Sequence, residues 1–143
     1  MEVVATKEIL REVNEAKNKD EVFIKGTSET PEVILNKKSG EIKFQGRSMP
    51  EDAKSFYVPL KEWIAEYAEN PAPGTHVVFS YEYFNTASSK MIMEILEEIS
   101  KIQDKDKQMK AEWHYLEDDD DMLEAGEDYE DITGLNFDYI SYE

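Results

Sequence analysis

The chain has no cysteine among its 143 residues. Disulfides, thiolate nucleophiles and thiolate metal sites are therefore excluded. Histidine is nearly as scarce, with His76 and His114 the only two. Positive charge is also in short supply: 16 Lys and Arg face 33 Asp and Glu, for a formal net charge of -17. A field of that sign repels nucleic-acid phosphates and anionic lipid surfaces, so neither is expected as a partner. No apolar run approaches the ~20 residues that span a bilayer. The stretch from Met1 to Arg11 contains Glu2, Lys7 and Glu8 and has no apolar centre, so it does not read as a secretory signal. Together with the missing disulfides, this sets a cytoplasmic location as the expectation.

What is present suits a folded globule. Hydrophobic residues make up 40% of the chain and aromatics 11%, and the length fits one domain with a sizeable core. No internal repeat is visible. Residues 1–20 read as an N-terminal extension or short helix, with Ile9, Leu10 and Val13 as a thin apolar stripe. Residues 21–143 read as the domain proper.

Within that domain, Val22-Phe23-Ile24 leads into a sheet. Glu32–Asn36 and Glu41–Gln45 flank Lys37-Lys38-Ser39-Gly40, which reads as a β-hairpin. Ser48-Met49-Pro50-Glu51 is the signature of a helix start, with Ser48 as cap and Glu51 closing a capping box. The helix that follows is apolar at Phe56, Leu60, Trp63, Ile64 and Tyr67, and Pro59 is expected to bend or split it. Thr75–Tyr83 is β-branched and aromatic and reads as a central strand. Met91, Ile92, Ile95, Leu96, Ile99 and Ile102 mark one face of a second helix ending near Gln103, and Asp104–Lys107 forms a polar link. Met109–Leu116 is another strand. The acidic stretch from Glu117 is read as the start of a third helix, an expectation that Gly126 weakens. Leu135–Tyr142 is a last strand at an edge. The expected fold is therefore α/β: a mixed sheet of about five strands, opened by a hairpin, largely parallel, with helices packed against it.

Enzyme signatures are mostly missing: there is no Gly-rich phosphate loop after a strand, no G-x-S-x-G elbow and no H-E-x-x-H. His76 and His114 fall in strands, where a partly buried or rim histidine is the ordinary outcome. They leave open a small hydrolase-like enzyme that uses one of them with carboxylates. The run Asp118–Asp121 lacks the spacing of an EF-hand loop, and adjacent acids fan out around the backbone instead of converging on one ion. A solvated helix start or a surface for basic partners is the better account. No metal and no cofactor are expected.

The informative segment is Asn85-Thr86-Ala87-Ser88-Ser89-Lys90. It joins the end of the central strand to the start of a helix, the place where sites form in open α/β sheets. Asn, Thr and Ser are ordinary capping residues. A hydroxyl here also faces free N–H groups at the positive end of the helix dipole, which would receive a phosphate well.

Several segments together resemble the SiaC-like regulatory phosphoproteins, a family with a STAS-like fold. They are Gly26-Thr27 with Thr30-Pro31, Gly46-Arg47-Ser48-Met49-Pro50-Glu51, Phe56, Trp63, Tyr83–Lys90 and Trp113-His114-Tyr115. The resemblance covers about residues 26–138. It implies a non-enzymatic switch protein, phosphorylated by a partner kinase and restored by a PP2C-type phosphatase, whose unmodified form binds and activates a diguanylate cyclase and so raises cyclic di-GMP. It places the phosphoacceptor on Thr86. Ala87 stands where the family motif often has serine. Asn85, Thr86, Ser88, Ser89 and Lys90 are then the expected partner-binding residues, with Asn85 and Ser88 shaping the loop. An anti-sigma-factor-antagonist-type module with another partner is the remaining alternative.

Overall fold

A computed structural model describes residues 2–105 and 108–143. The elements run α1 (Glu2–Ala16), β1 (Glu21–Ile24), β2 (Glu32–Asn36), β3 (Glu41–Ser48), α2 (Ala53–Glu69), β4 (His76–Phe84), α3 (Thr86–Lys105), β5 (Lys110–Leu116), α4 (Asp120–Thr133) and β6 (Asp138–Tyr142). Asp106 and Lys107, half of the expected polar link, lie outside the described residues, while Asp104 and Lys105 complete α3.

The six strands form one sheet in the order β1-β2-β3-β4-β5-β6. The first two pairs are antiparallel and the last three parallel. The hairpin thus joins β2 to β3 as expected, and the additional strand is β1, the Val22-Phe23-Ile24 run. Each parallel step crosses over through one helix. Because the strands are laid down in sequence order, right-handed crossovers place α2, α3 and α4 on the same face.

Burial follows from that. On the helix face, Phe44, Phe79 and Trp113 are neighbours in the strand register and stack across the sheet, with ring centroids 5.2 and 6.1 Å apart. All three are essentially inaccessible. Among the described residues, the opposite face carries no helix. There His76, Val78, Ser80, Glu112 and His114 line a shallow open groove.

Three local expectations are corrected. Ser48 does not cap α2: it ends β3 opposite Phe84 and is wholly buried. The cap is Asp52, whose Oδ1 accepts from Ser55 N at 3.1 Å and whose Oδ2 accepts from Ser55 Oγ at 2.7 Å. Strand pairing to β4 outcompetes a local capping signal. Pro59 does not split α2, which runs unbroken from Ala53 to Glu69. A mid-helix proline costs about 3 kcal/mol. Phe56, Tyr57, Leu60, Trp63 and Ile64 are all fully buried around it, and each contributes roughly 1.5–3 kcal/mol, so packing prevails. Gly126 does not stop α4, which runs unbroken through it, and it lets the helix lie on Trp113. A Cβ at that position would sit 2.6 Å from Trp113 Cδ1. Trp113 Nε1 also donates to Met122 O at 2.9 Å.

Candidate functional site

The junction after β4 is built from both sides. The register between β3 and β4 skips at Gly46/Arg47, which leaves Glu82 as the extra residue of a bulge. Gly46 has φ 114°, a value side chains rarely adopt. Beyond the bulge, Ser48 lies opposite Phe84, and Asn85 N donates to Ser48 O at 3.0 Å. The end of β3 therefore fixes where β4 stops and α3 begins.

Asn85 caps α3: its Oδ1 accepts from Ser88 N at 2.9 Å, and its backbone O accepts from Ser89 N at 2.9 Å. These bonds leave the amides of Thr86 and Ala87 as the open donors of the first turn. Thr86, Ala87 and Lys90 point to solvent, Asn85 and Ser89 are half-buried, and Ser88 is fully buried. Of the five expected partner-binding residues, Thr86 and Lys90 are thus displayed. Ser88 acts only from beneath.

Two further anchors hold this turn. Ser89 Oγ lies 3.1 Å from Tyr129 OH, and Tyr129 OH donates to Ser89 O at 2.9 Å. That pair ties α3 to α4. Ser88 Oγ donates to Ser48 O at 3.1 Å and accepts from Ser48 Oγ at 2.9 Å. With its proton so committed, Ser48 Oγ accepts from Tyr57 OH at 2.5 Å. Tyr57 OH in turn accepts from Tyr81 OH at 3.0 Å. Four buried hydroxyls thus form one polarised chain. Burial pushes the Tyr57 and Tyr81 hydroxyls well above the ordinary phenol range, so both stay protonated.

Sequence reading missed Tyr57 and Tyr81. Both look like ordinary core aromatics within apolar runs, and nothing in their spacing separates a hydroxyl with partners from a phenyl ring. Ser48 carried a signal, a polar residue closing an alternating strand, but the signal also fits a cap.

Beside the junction, Phe84, Met122 and Ala125 floor a groove rimmed by Glu82, Tyr83, Asp119 and Asp121. The acidic run is largely structural here. Asp119 caps α4 by accepting from Met122 N at 3.0 Å, and Asp120 and Asp121 occupy the first turn, where the dipole favours them.

The histidines lie elsewhere. On the open face, His76 Nε2 is 2.7 Å from Glu112 Oε2 and His114 Nε2 is 2.8 Å from Glu112 Oε1. The two rings, far apart in sequence, share one carboxylate. Burial raises the Glu112 pKa, but the bonds from His114 and His76 outweigh it and hold the group below the ordinary carboxylate range. This cluster starts at the first residue of β4, roughly 30 Å along the strand from Thr86 at ~3.3 Å per residue. Among the described residues, no group of three or more His, Asp or Glu side chains is arranged to hold a metal ion. No helix among them is long and apolar enough to cross a membrane.

Comparison with known proteins places this architecture. The chain is 22% identical over 117 residues to an uncharacterized protein of Pseudomonas aeruginosa strain UCBPP-PA14, covering 82% of this chain and 93% of that protein. The fold superposes on SiaC of Pseudomonas aeruginosa with a TM-score of 0.75 at 21% identity, covering 87% of this chain and 100% of that one. It also superposes on the structure of the diguanylate cyclase SiaD in complex with its activator SiaC, with a TM-score of 0.76 at 21% identity, over 85% of this chain and 99% of the matched chain. A family model described as SiaC family regulatory phosphoprotein matches residues 24–142, nearly everything after α1. The chain belongs to the SiaC family of regulatory phosphoproteins.

Proposed function

We propose that this chain is a cytoplasmic signalling protein switched by reversible phosphorylation of Thr86. A partner kinase adds the phosphate and a PP2C-type phosphatase removes it. The unmodified form docks on and regulates a diguanylate cyclase, the enzyme class bound by the SiaC of the solved complex. The observation that carries the proposal is the placement of Thr86: exposed, at the first position of α3, beside two open amides, on a turn anchored by Asn85, Ser88 and Ser89.

The mechanism is steric and electrostatic. A phosphate adds close to two negative charges and three acceptor oxygens. On Thr86 it would stand exposed at the first position of α3, two residues after β4 ends. A partner surface that fits the bare hydroxyl then meets a hydrated dianion that it cannot desolvate. Lys90, one turn further on, offers the phosphate a counter-charge.

Mass spectrometry of the protein purified from its native host tests the assignment. The expected result is one phosphate on the peptide containing Asn85–Lys90, absent from a Thr86→Ala variant. A stoichiometric phosphate on another residue, with Thr86 unmodified, contradicts it. The hydrolase-like alternative rests on His76, His114 and Glu112. It predicts turnover of a substrate that Glu112→Gln abolishes, whereas a binding switch has no turnover to lose.

A further inference from the structure

The hydroxyl chain beneath Thr86 has no role in the proposal so far. Buried polar groups cost free energy unless each is satisfied, and an apolar core of the same shape would serve stability equally well. Phenylalanine at position 57 or 81 would fill the same space. Yet four side chains from four elements converge: Ser48 at the end of β3, Tyr57 on α2, Tyr81 on β4 and Ser88 on α3, at 2.5 to 3.0 Å between neighbouring hydroxyl oxygens. All four are at most 1% exposed. The chain has a direction, set by the double use of the Ser48–Ser88 pair. It ends two residues from Thr86.

We propose that Ser48, Tyr57 and Ser88 are positioning residues of the switch: through their hydroxyls they clamp the first turn of α3, so that Thr86 is displayed outward with the amides of Thr86 and Ala87 open to receive the phosphate it acquires. The proposal rests on the reading of Thr86 as the switch and adds how the fold prepares that site. The clamp is neutral. It therefore adds no charge beneath a position that alternates between a hydroxyl and a dianion, and the surrounding turn need not repack between the two states. Its reach is local. Ser88 holds α3 directly, Ser48 holds Ser88, Tyr57 holds Ser48, and Tyr81 only completes the acceptor capacity of Tyr57.

That ordering separates positioning from plain stability. For stability alone, Tyr57→Phe and Ser48→Ala are the worst substitutions, because each strands one donor and one acceptor of the chain at once. For positioning, the effect on the α3 turn falls along the chain, from Ser88→Ala through Ser48→Ala and Tyr57→Phe to Tyr81→Phe.

The experiment uses the full chain with phosphothreonine installed at position 86 by semi-synthesis, so the result does not depend on any kinase. Phosphorus NMR reads the second pKa of that phosphate. Amide exchange reads the helix bonds that begin at Ser89 and Lys90. In the otherwise unaltered chain the phosphate is expected to titrate below the ordinary value of about 6, because the fixed amides favour its doubly charged form. Ser88→Ala should return it towards that value and speed exchange at Ser89 and Lys90 about tenfold relative to the core of β4. Tyr81→Phe should change neither. If Ser88→Ala does not fold, Ser48→Ala removes the Oγ–Oγ bond while Ser88 Oγ keeps its bond to Ser48 O, and a smaller shift in the same direction is expected. A phosphate pKa indifferent to both serine substitutions, or exchange that tracks global stability with Tyr57→Phe more severe than Ser88→Ala, overturns the proposal. Failure of the Thr86 assignment itself would show instead in the host-purified protein, as a phosphate elsewhere.

Discussion

Strand β4 carries two polar clusters, one near each end and on opposite faces, and they are built on different terms. At its start, on the bare face, His76 and His114 hold the carboxylate of Glu112 in partial contact with water. At its end, on the covered face, Tyr81 opens a chain of four neutral hydroxyls with no contact with water. Charge is kept where solvent can screen it, and uncharged donors are used where solvent cannot reach. The consequence is an asymmetry of cost. A broken contact on the open face is compensated by water. A broken contact in the buried chain leaves an orphan.

The largest effect that sharpens this contrast is expected for Tyr57→Phe. It removes one oxygen and strands a donor and an acceptor, which should lower stability by about 1–3 kcal/mol. Denaturant titration checks it, with an unchanged slope showing that the loss lies in the folded state. Asn85→Ala comes next. It removes the side-chain acceptor for Ser88 N and should cost about 1 kcal/mol, the usual value for a lost cap.

The smallest effect is expected on the open face. Glu112→Gln should change stability near neutral pH by no more than about 1 kcal/mol, because the group keeps partial contact with water and Gln retains an acceptor oxygen. Its pH dependence is more telling. The Glu112 pKa is held below its ordinary value of 4.5 in the folded protein. Its contribution is therefore present above that pH and is lost as pH falls through the lowered folded value. The stabilities of the wild type and Glu112→Gln should converge on acidification below pH 4.5. If Glu112→Gln costs more than Tyr57→Phe at neutral pH, the contrast between the two clusters is wrong.

Sequence pattern exposed those parts of the molecule that depend on periodicity. The hairpin around Lys37–Gly40, the buried faces of α2 and α3, and the central position of β4 are direct readings of apolar spacing and turn residues. The candidate site stood out at Asn85–Lys90 because it combines capping chemistry with the end of a buried strand. What escaped depends on tertiary register. Ser48 carries a capping signal that β3–β4 pairing overrides, and Asp52, four residues on, takes the role. His76 and Glu112 meet because β4 and β5 place them on one face, a coincidence of two strands that neither states alone. Gly126 looks like a helix defect until Trp113 is seen beneath it. Tyr57 and Tyr81 give no warning, because a sequence shows a tyrosine ring but not where its hydroxyl ends.

The central claim is that the charge state of Thr86 decides docking. Titration calorimetry of a diguanylate cyclase partner with the unmodified chain and with the chain phosphorylated on Thr86 tests it most directly. The account predicts binding by the unmodified form and an affinity at least about tenfold weaker, or roughly 1.4 kcal/mol, for the phosphorylated form, with Thr86→Asp shifted in the same direction. Equal affinities for the two forms of a partner that does bind would contradict it.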